Sequence, residues 1–163
     1  MAYVIDASSL IEAKDRYYGF DFCPGYWKWL EGQNAAGVVF SIDRICRELE
    51  AGNDELATWA KKNSSTFFLA VDIPTQAALT QVSTWVNGAN FNPQAKPQFL
   101  SGADPFLIAF ALAHGHTVVT DEVFVPGERR RVKIPAVCQQ FNVPCIDPFQ
   151  MLRREGARFV LQP

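Results

Sequence analysis

The sequence predicts an α/β fold in which a short parallel sheet of about four or five strands is covered by helices on both faces. Two observations carry this expectation. Short apolar runs alternate along the whole chain with segments of helical periodicity. The runs are continuous rather than alternately polar, as strands buried on both faces require.

Tyr3-Val4-Ile5 reads as the first strand, ending at Asp6, and Ser8-Ser9 open a helix through Leu10, Ile11 and Lys14. Pro24 starts an aromatic helix (Tyr26, Trp27, Trp29, Leu30) that Gly32 to Gly37 terminate. Val38-Val39-Phe40 is the second strand, with Ser41 after it as an N-cap. Ile42, Ile45, Cys46 and Leu49 then recur at i, i+3, i+4 and i+7, one face of a helix. Asn53-Asp54 caps a further helix, Glu55 to Lys62, and Phe67 to Val71 is the third strand. Pro74 begins a long helix ended by Asn87-Gly88, and residues 89–101, with two prolines and two glutamines, read as an ordered surface loop. Asp104-Pro105 reads as an N-cap and first-turn proline for a central helix, Phe106 to His114, that is apolar almost all round. Thr117 to Thr120 is the fourth strand. After a basic loop come a short helix from Pro135 to Phe141, a fifth strand at Val143 to Ile146, and a last helix from Pro148 to about Glu155.

The length, 163 residues, suits one domain spanning 1–163, large enough to hold a core without disulfide or structural metal. A disulfide-stapled mini-protein is excluded. Fifteen Lys and Arg against 17 Asp and Glu give a formal charge of −2, which excludes a simple basic nucleic-acid binder. Cys23, Cys46, Cys138 and Cys145 form no C-x-x-C pair and read as reduced, mostly buried thiols. With no basic leader and no apolar run near the ~20 residues of a membrane span, the expectation is a cytoplasmic protein with no membrane contact.

In open parallel sheets, ligands bind beyond the carboxyl ends of the strands. Asp6 follows the first strand, Asp121 and Glu122 follow the fourth, and Asp104 opens the helix leading into the fourth. Glu48 and Glu50 flank the apolar face of the helix after the second strand, and helical geometry does not separate them. Two carboxylates ~5 Å apart repel by about 3 kcal/mol at an effective dielectric near 20, so such a cluster needs protons or cations. All-oxygen ligands suit Mg²⁺ or Mn²⁺, and one or two such ions would activate water against a phosphodiester. Each acid alone has a plainer reading: an N-cap for Asp6 or Asp104, a solvated helix edge for Glu48.

Tyr-Val-Ile-Asp-Ala-Ser-Ser-Leu at 3–10 resembles the opening strand of PIN-domain ribonucleases. Ser41-x-x-x-Ile45-x-x-Glu48-Leu49 resembles their second motif, Ala103-Asp104-Pro105-Phe106-Leu107-Ile108-Ala109 the third, and Val118-Val119-Thr120-Asp121 the fourth. The motifs come in family order across almost the whole chain. Lys133-Ile134-Pro135-x-Val137-Cys138 followed by Val143-x-Cys145 further resembles a prokaryotic PIN-like branch of unknown function, thought to include VapC-type toxins of toxin–antitoxin pairs.

The resemblance implies a PIN-like three-layer α/β/α domain whose Asp6, Glu48, Asp104 and Asp121 are catalytic and hold one or two Mg²⁺ or Mn²⁺ ions, with Ser8 and Thr120 in support. It selects Glu48 over Glu50. The fourth motif departs from the usual pattern, because Thr120, Asp121 and Glu122 are consecutive, and Glu122 is the substitute for Asp121. The implied activity is a metal-dependent endoribonuclease acting on RNA, restrained by a cognate antitoxin; PIN-like proteins also often form homodimers. The alternative is a catalytically inactive PIN-like binding module.

Arg129, Arg130, Arg131 and Lys133 are candidates for gripping RNA phosphates, against a solvated loop or an acidic-partner patch. His114 and His116 read as caps at a helix C-terminus, and Trp27, Trp29, Trp59 and Trp85 as core or interface. With four of the 17 acids assigned to a site, 13 face 15 bases, and two divalent ions would turn −2 into +2.

Overall fold

The computed structural model describes residues 1–162. Five parallel strands, β1 (Tyr3–Ile5), β2 (Val39–Ile42), β3 (Phe68–Leu69), β4 (Thr117–Val119) and β5 (Cys145–Ile146), form one sheet in the order β3-β2-β1-β4-β5. Tyr3 pairs with Val39 on one side and Thr117 on the other, so the chain reverses its direction of travel across the sheet between β1 and β4. Such a reversal opens a crevice at the carboxyl ends of those two strands.

The helices are α1 (Ala7–Glu12), α2 (Pro24–Ala35), α3 (Asp43–Glu50), α4 (Glu55–Lys62), α5 (Ile73–Gly88), α6 (Ala95–Leu100), α7 (Asp104–His114), α8 (Ile134–Gln140) and α9 (Pro148–Arg154), and a π-helical turn, Ala13–Tyr17, extends α1. In one group α7 packs against α5, α6 and α8; in another α3 packs against α1 and α4. Leu107, Ile108 and Ala109 of α7 are fully buried, which is why that helix is apolar on every side. Trp27 and Trp59 lie in the core, and Trp29 and Trp85 pack half-buried against it. All four cysteines are free thiols. No helix among the described residues is long and apolar enough to cross a membrane.

Four expectations are corrected. Ser41 is not an N-cap but the third residue of β2, fully buried, its hydroxyl donating to the Ile5 carbonyl at 2.7 Å and its N–H to Phe67 O at 2.9 Å. Asp104 is the first helical residue of α7 rather than its cap. Residues 89–101 contain α6, because Ala95 and Phe99, four apart, bury one face; Pro97 sits in the first turn, where no N–H has an intrahelical acceptor. Finally, neither histidine side chain caps α7: Gly115 closes it in the left-handed conformation (φ 70°), and His116 contributes its backbone N–H, donated to Ala111 O at 3.0 Å. His114 instead pairs through Nε2 with Asp72, the N-cap of α5, at 2.7 Å, and His116 Nδ1 accepts from the Ala2 N–H at 3.2 Å.

Asp54 caps α4 by accepting from the Ala57 N–H at 2.9 Å, and its second oxygen meets Lys14 Nζ at 2.7 Å. These bonds hold its carboxyl below the ordinary aspartate range, the Lys14 contact foremost. The stability this supplies is present at neutral pH and lost as acidification protonates the folded carboxylate. Asp54→Ala is expected to cost ~1 kcal/mol in urea unfolding at pH 7, and less at low pH.

Candidate active site

The crevice between β1 and β4 is built from the strand ends outward. Asp6 leaves β1 in an extended conformation (φ −84°, ψ 170°) and caps α1. Its carboxylate accepts three hydrogen bonds: from the Ser9 N–H at 2.9 Å, from the Ser8 hydroxyl at 2.7 Å and from the Thr120 hydroxyl at 2.6 Å. Asp6 is 1% exposed. Burial pushes its carboxyl above the ordinary aspartate range, and the hydrogen bonds from Thr120, Ser9 and Ser8 oppose that rise. The plain capping reading of Asp6 is therefore correct, and it leaves open a second role, since a carboxylate has about four acceptor directions. Ser8 and Thr120 are its supports in the geometrical sense, one from each side of the crevice.

Glu48 reaches from α3 to the start of α7, where its Oε1 accepts the Ala103 N–H at 3.0 Å. A carboxylate from another helix thus does the capping that Asp104 does not, and it sits where the helix dipole favours negative charge. Glu50 lies elsewhere on α3 and accepts from the Cys46 thiol at 3.5 Å.

Asp104, released from capping, turns into the crevice. Burial, and then the negative charges of Asp6, Glu122 and Glu48 in that order, push its carboxyl up to about 7. Arg131 opposes this from the rim. Glu122 is raised as well, by burial and by Asp6, against a hydrogen bond from the Ile134 N–H (3.3 Å to Oε2) and the positive charges of Arg131 and Lys133. The Thr120 hydroxyl accepts the Glu122 N–H at 3.1 Å while donating to Asp6, tying the two acids through one residue.

A cleft of about 400 Å³ is lined by Asp6, Glu48, Asp104, Asp121, Glu122 and Arg131. All four expected acids and the substitute therefore face one space. Asp121 also borders a small apolar pocket between Tyr17, Tyr26 and Phe149. Glu122 is among the charges that raise Asp104. The carboxylates line the cleft without closing on one point: among the described residues, no three His, Cys, Asp or Glu side chains are gathered tightly enough to share one ion. Their chemistry nonetheless suits a hard divalent cation, being all oxygen and carrying more negative charge than the site neutralises.

Of the basic stretch, Arg131 is closest to the acids, 4.0 Å from Glu122. The backbone N–H groups of Arg130 and Arg131 are tied to Glu128 at 2.8 and 3.2 Å, and the Arg129 carbonyl accepts from the Asn92 N–H at 2.8 Å. The loop is thus anchored, with Arg129 and Arg130 exposed and Lys133 half-buried. Glu12 also lines the cleft, a residue the sequence reading passed over, although Ser8 and Glu12 are four apart on one helix. Arg44 and Arg47 border Glu48 on the opposite flank, and Arg44 lies 3.7 Å from the Phe106 ring centroid. Their signal was the same helix that carries Glu48.

The profile of a family described as "Domain of unknown function (DUF4411)" matches residues 3–159. No curated protein matches the sequence. Among solved structures, FitAcB from Neisseria gonorrhoeae superposes with a TM-score of 0.55 at 14% identity, over 90% of this chain and 98% of that one. VapBC2 from Rickettsia felis, crystallised on a DNA fragment from its promoter, gives 0.54 at 12% identity over the same shares. FitAB bound to a DNA fragment gives 0.54 at 14% identity, over 90% of this chain and 95% of that one.

Proposed function

The chain belongs to the DUF4411 family and has a PIN-like fold of the VapC type, and on that footing we propose that it is a divalent-metal-dependent endoribonuclease. The observation that carries this reading is the convergence of Asp6, Glu48, Asp104 and Glu122, acids from four separate segments, on one cleft at the strand-order reversal. A fold does not need such a cluster, and repulsion makes it costly without a cation.

Asp6, Asp104, Glu48 and Glu122 are the residues that would hold Mg²⁺ or Mn²⁺, with Asp121 as the further acid of the cleft. When bound, such an ion supplies Lewis acidity at a phosphodiester and favours ionisation of water. The protein's own part is positional. Ser8, Ser9 and Thr120 fix the Asp6 carboxylate by three donors, so it presents a set orientation without reorganising. Capping of Ala103 fixes Glu48 through one oxygen and leaves the other for the cleft. Arg131, at the rim, offers positive charge to an RNA phosphate approaching acids that would otherwise repel it. Arg129, Arg130 and Lys133 extend that positive charge along the loop.

The neighbouring VapBC2 and FitAB assemblies support the further reading that this protein is a toxin held by a cognate antitoxin. The test is cleavage of a mixed RNA substrate by the purified full chain. Cleavage is expected with Mg²⁺ or Mn²⁺ and is abolished by a chelator. Glu122→Gln is expected to lower the rate about tenfold or more and Asp121→Asn by less than about threefold, since Glu122 is tied to Asp6 through the Thr120 hydroxyl and shares two clefts with Asp104 where Asp121 shares one. The reverse order would make Asp121 the fourth acid; chelator-resistant cleavage, or none at all in a folded protein, would remove the proposal.

A further inference from the structure

A second cleft, of about 520 Å³, shares Glu122 with the acid cleft but is not lined by Asp6, Glu48 or Asp104. Thr120, which lines this second cleft, donates its hydroxyl to Asp6 of the acid cleft at 2.6 Å, so the two adjoin. Its inner wall is apolar, formed by Pro135, Val143 and Ile146, and its rim carries Phe124, Asp147 and Gln150. Phe124 is 43% exposed and follows Val123, 70% exposed. Among the described residues Phe124 pairs with no other aromatic ring, although Phe and Trp side chains elsewhere in the chain cluster repeatedly. The Gln150 Oε1 accepts the Asp147 N–H at 3.1 Å and the Asp147 Oδ1 accepts the Gln150 N–H at 2.9 Å. This reciprocal cap holds Gln150 in place and leaves its amide N–H₂ and the second Asp147 oxygen as an adjacent donor and acceptor.

We infer that this cleft is a base-binding subsite, which seats the nucleobase next to the phosphodiester placed at the acids; the inference rests on the nuclease reading above. The volume falls in the range of ~300–1,000 Å³ usual for small organic ligands. Two carboxylates, Glu122 and Asp147, repel a phosphate, so the phosphate stays on the Arg131 side and the uncharged base enters. An exposed aromatic ring at the rim of an apolar wall offers its face to a base, as single-stranded RNA readers do. The fixed amide and carboxylate can pair with the donor and acceptor on a base edge. A protein partner would use the same apolar wall, but Glu122, which lines both this cleft and the acid cleft, puts the wall next to the acids and favours a nucleotide.

The experiment uses mononucleotides, which contain no bond for the enzyme to cut. Binding of the four 5′-mononucleotides and of ribose 5-phosphate to the full-length wild-type chain is measured by calorimetry or ligand-observed NMR in Mg²⁺. At least one mononucleotide is expected to bind about tenfold or more tightly than ribose 5-phosphate. Phe124→Ala is expected to weaken it by about tenfold, and Phe124→Trp to restore it. Equal binding of ribose 5-phosphate, no mononucleotide binding, or an unaffected Phe124→Ala overturns the inference. Loss of a protein partner by Phe124→Ala with nucleotide binding intact overturns it in favour of a protein contact. Base binding through Phe124 in a chain that cleaves no RNA would sustain the subsite while removing the nuclease reading. RNA cleavage with an indifferent Phe124 would do the opposite.

Discussion

Asp104→Asn is expected to lower metal-dependent RNA cleavage by about 10²–10³-fold while leaving the protein folded. Lewis-acid stabilisation at phosphorus is worth several kcal/mol, and each 1.36 kcal/mol is a factor of ten, so removing one charged ligand forfeits about two or three such factors. Folding is spared because Asp104 does not cap α7; Glu48 caps Ala103 in its place. The amide of Asn is close in shape to the carboxyl and relieves repulsion from Asp6, Glu122 and Glu48. The variant should therefore gain stability in the absence of metal as it loses activity. A simple structural role for Asp104 predicts the reverse, loss of stability with loss of activity. Cleavage rates and thermal unfolding on the same preparation separate the two.

The second large effect is on how stability depends on pH. In the folded metal-free protein the Asp104 carboxyl is pushed up to about 7, and Asp6 and Glu122 are raised too. For an acid raised on folding, the folded state holds its proton more tightly than the unfolded chain. Its stabilising contribution is complete below about pH 4, the unfolded value, and is lost as pH rises to about 7. The gap for Asp104 sets a ceiling of ~4 kcal/mol, reduced in practice by solvent and by coupling among the acids. For a chain of 163 residues each kcal/mol moves the thermal midpoint by ~2–4 °C. Asp54 and Asp72, both held low, slope the opposite way, so wild type and Asp104→Asn must be compared at each pH. The advantage of Asp104→Asn is expected to grow from pH 5 to pH 7 by ~3–5 °C without metal and to shrink or reverse with millimolar Mn²⁺. A constant difference across that range would show that the raised Asp104 carboxyl does not govern stability.

The strand and helix order was legible because buried parallel strands leave continuous apolar runs that no other element imitates at this length. Tyr3–Ile5 and Glu55–Lys62 fall where the pattern put them. What escaped was tertiary in origin. Ser41 looks like a cap by residue type, but its place in β2 depends on a hydrogen bond to Ile5, 36 residues away. The loop reading of 89–101 failed because proline and glutamine content hid the pair Ala95 and Phe99, whose burial is decided by what packs on them. Within the acid cluster, the positions of Asp6, Glu48 and Asp104 on three separate elements could be read, but their roles could not. Nothing in the local sequence says that Glu48 caps α7 across 55 residues and so frees Asp104. Nor does the local sequence say that Glu122 is tied to Asp6 through Thr120 while Asp121 also borders the pocket of Tyr17, Tyr26 and Phe149.

If the carboxylates of this cleft draw in a divalent cation, calorimetric titration of the chelator-treated full chain with Mn²⁺ at pH 7 will register it. Saturable binding is expected in the wild type, weakened about tenfold or more in Asp104→Asn and in Asp6→Asn, both confirmed as folded by circular dichroism. Absence of binding in the wild type, or the same affinity in all three proteins, would contradict it and leave a PIN-like binding module without metal chemistry at this crevice.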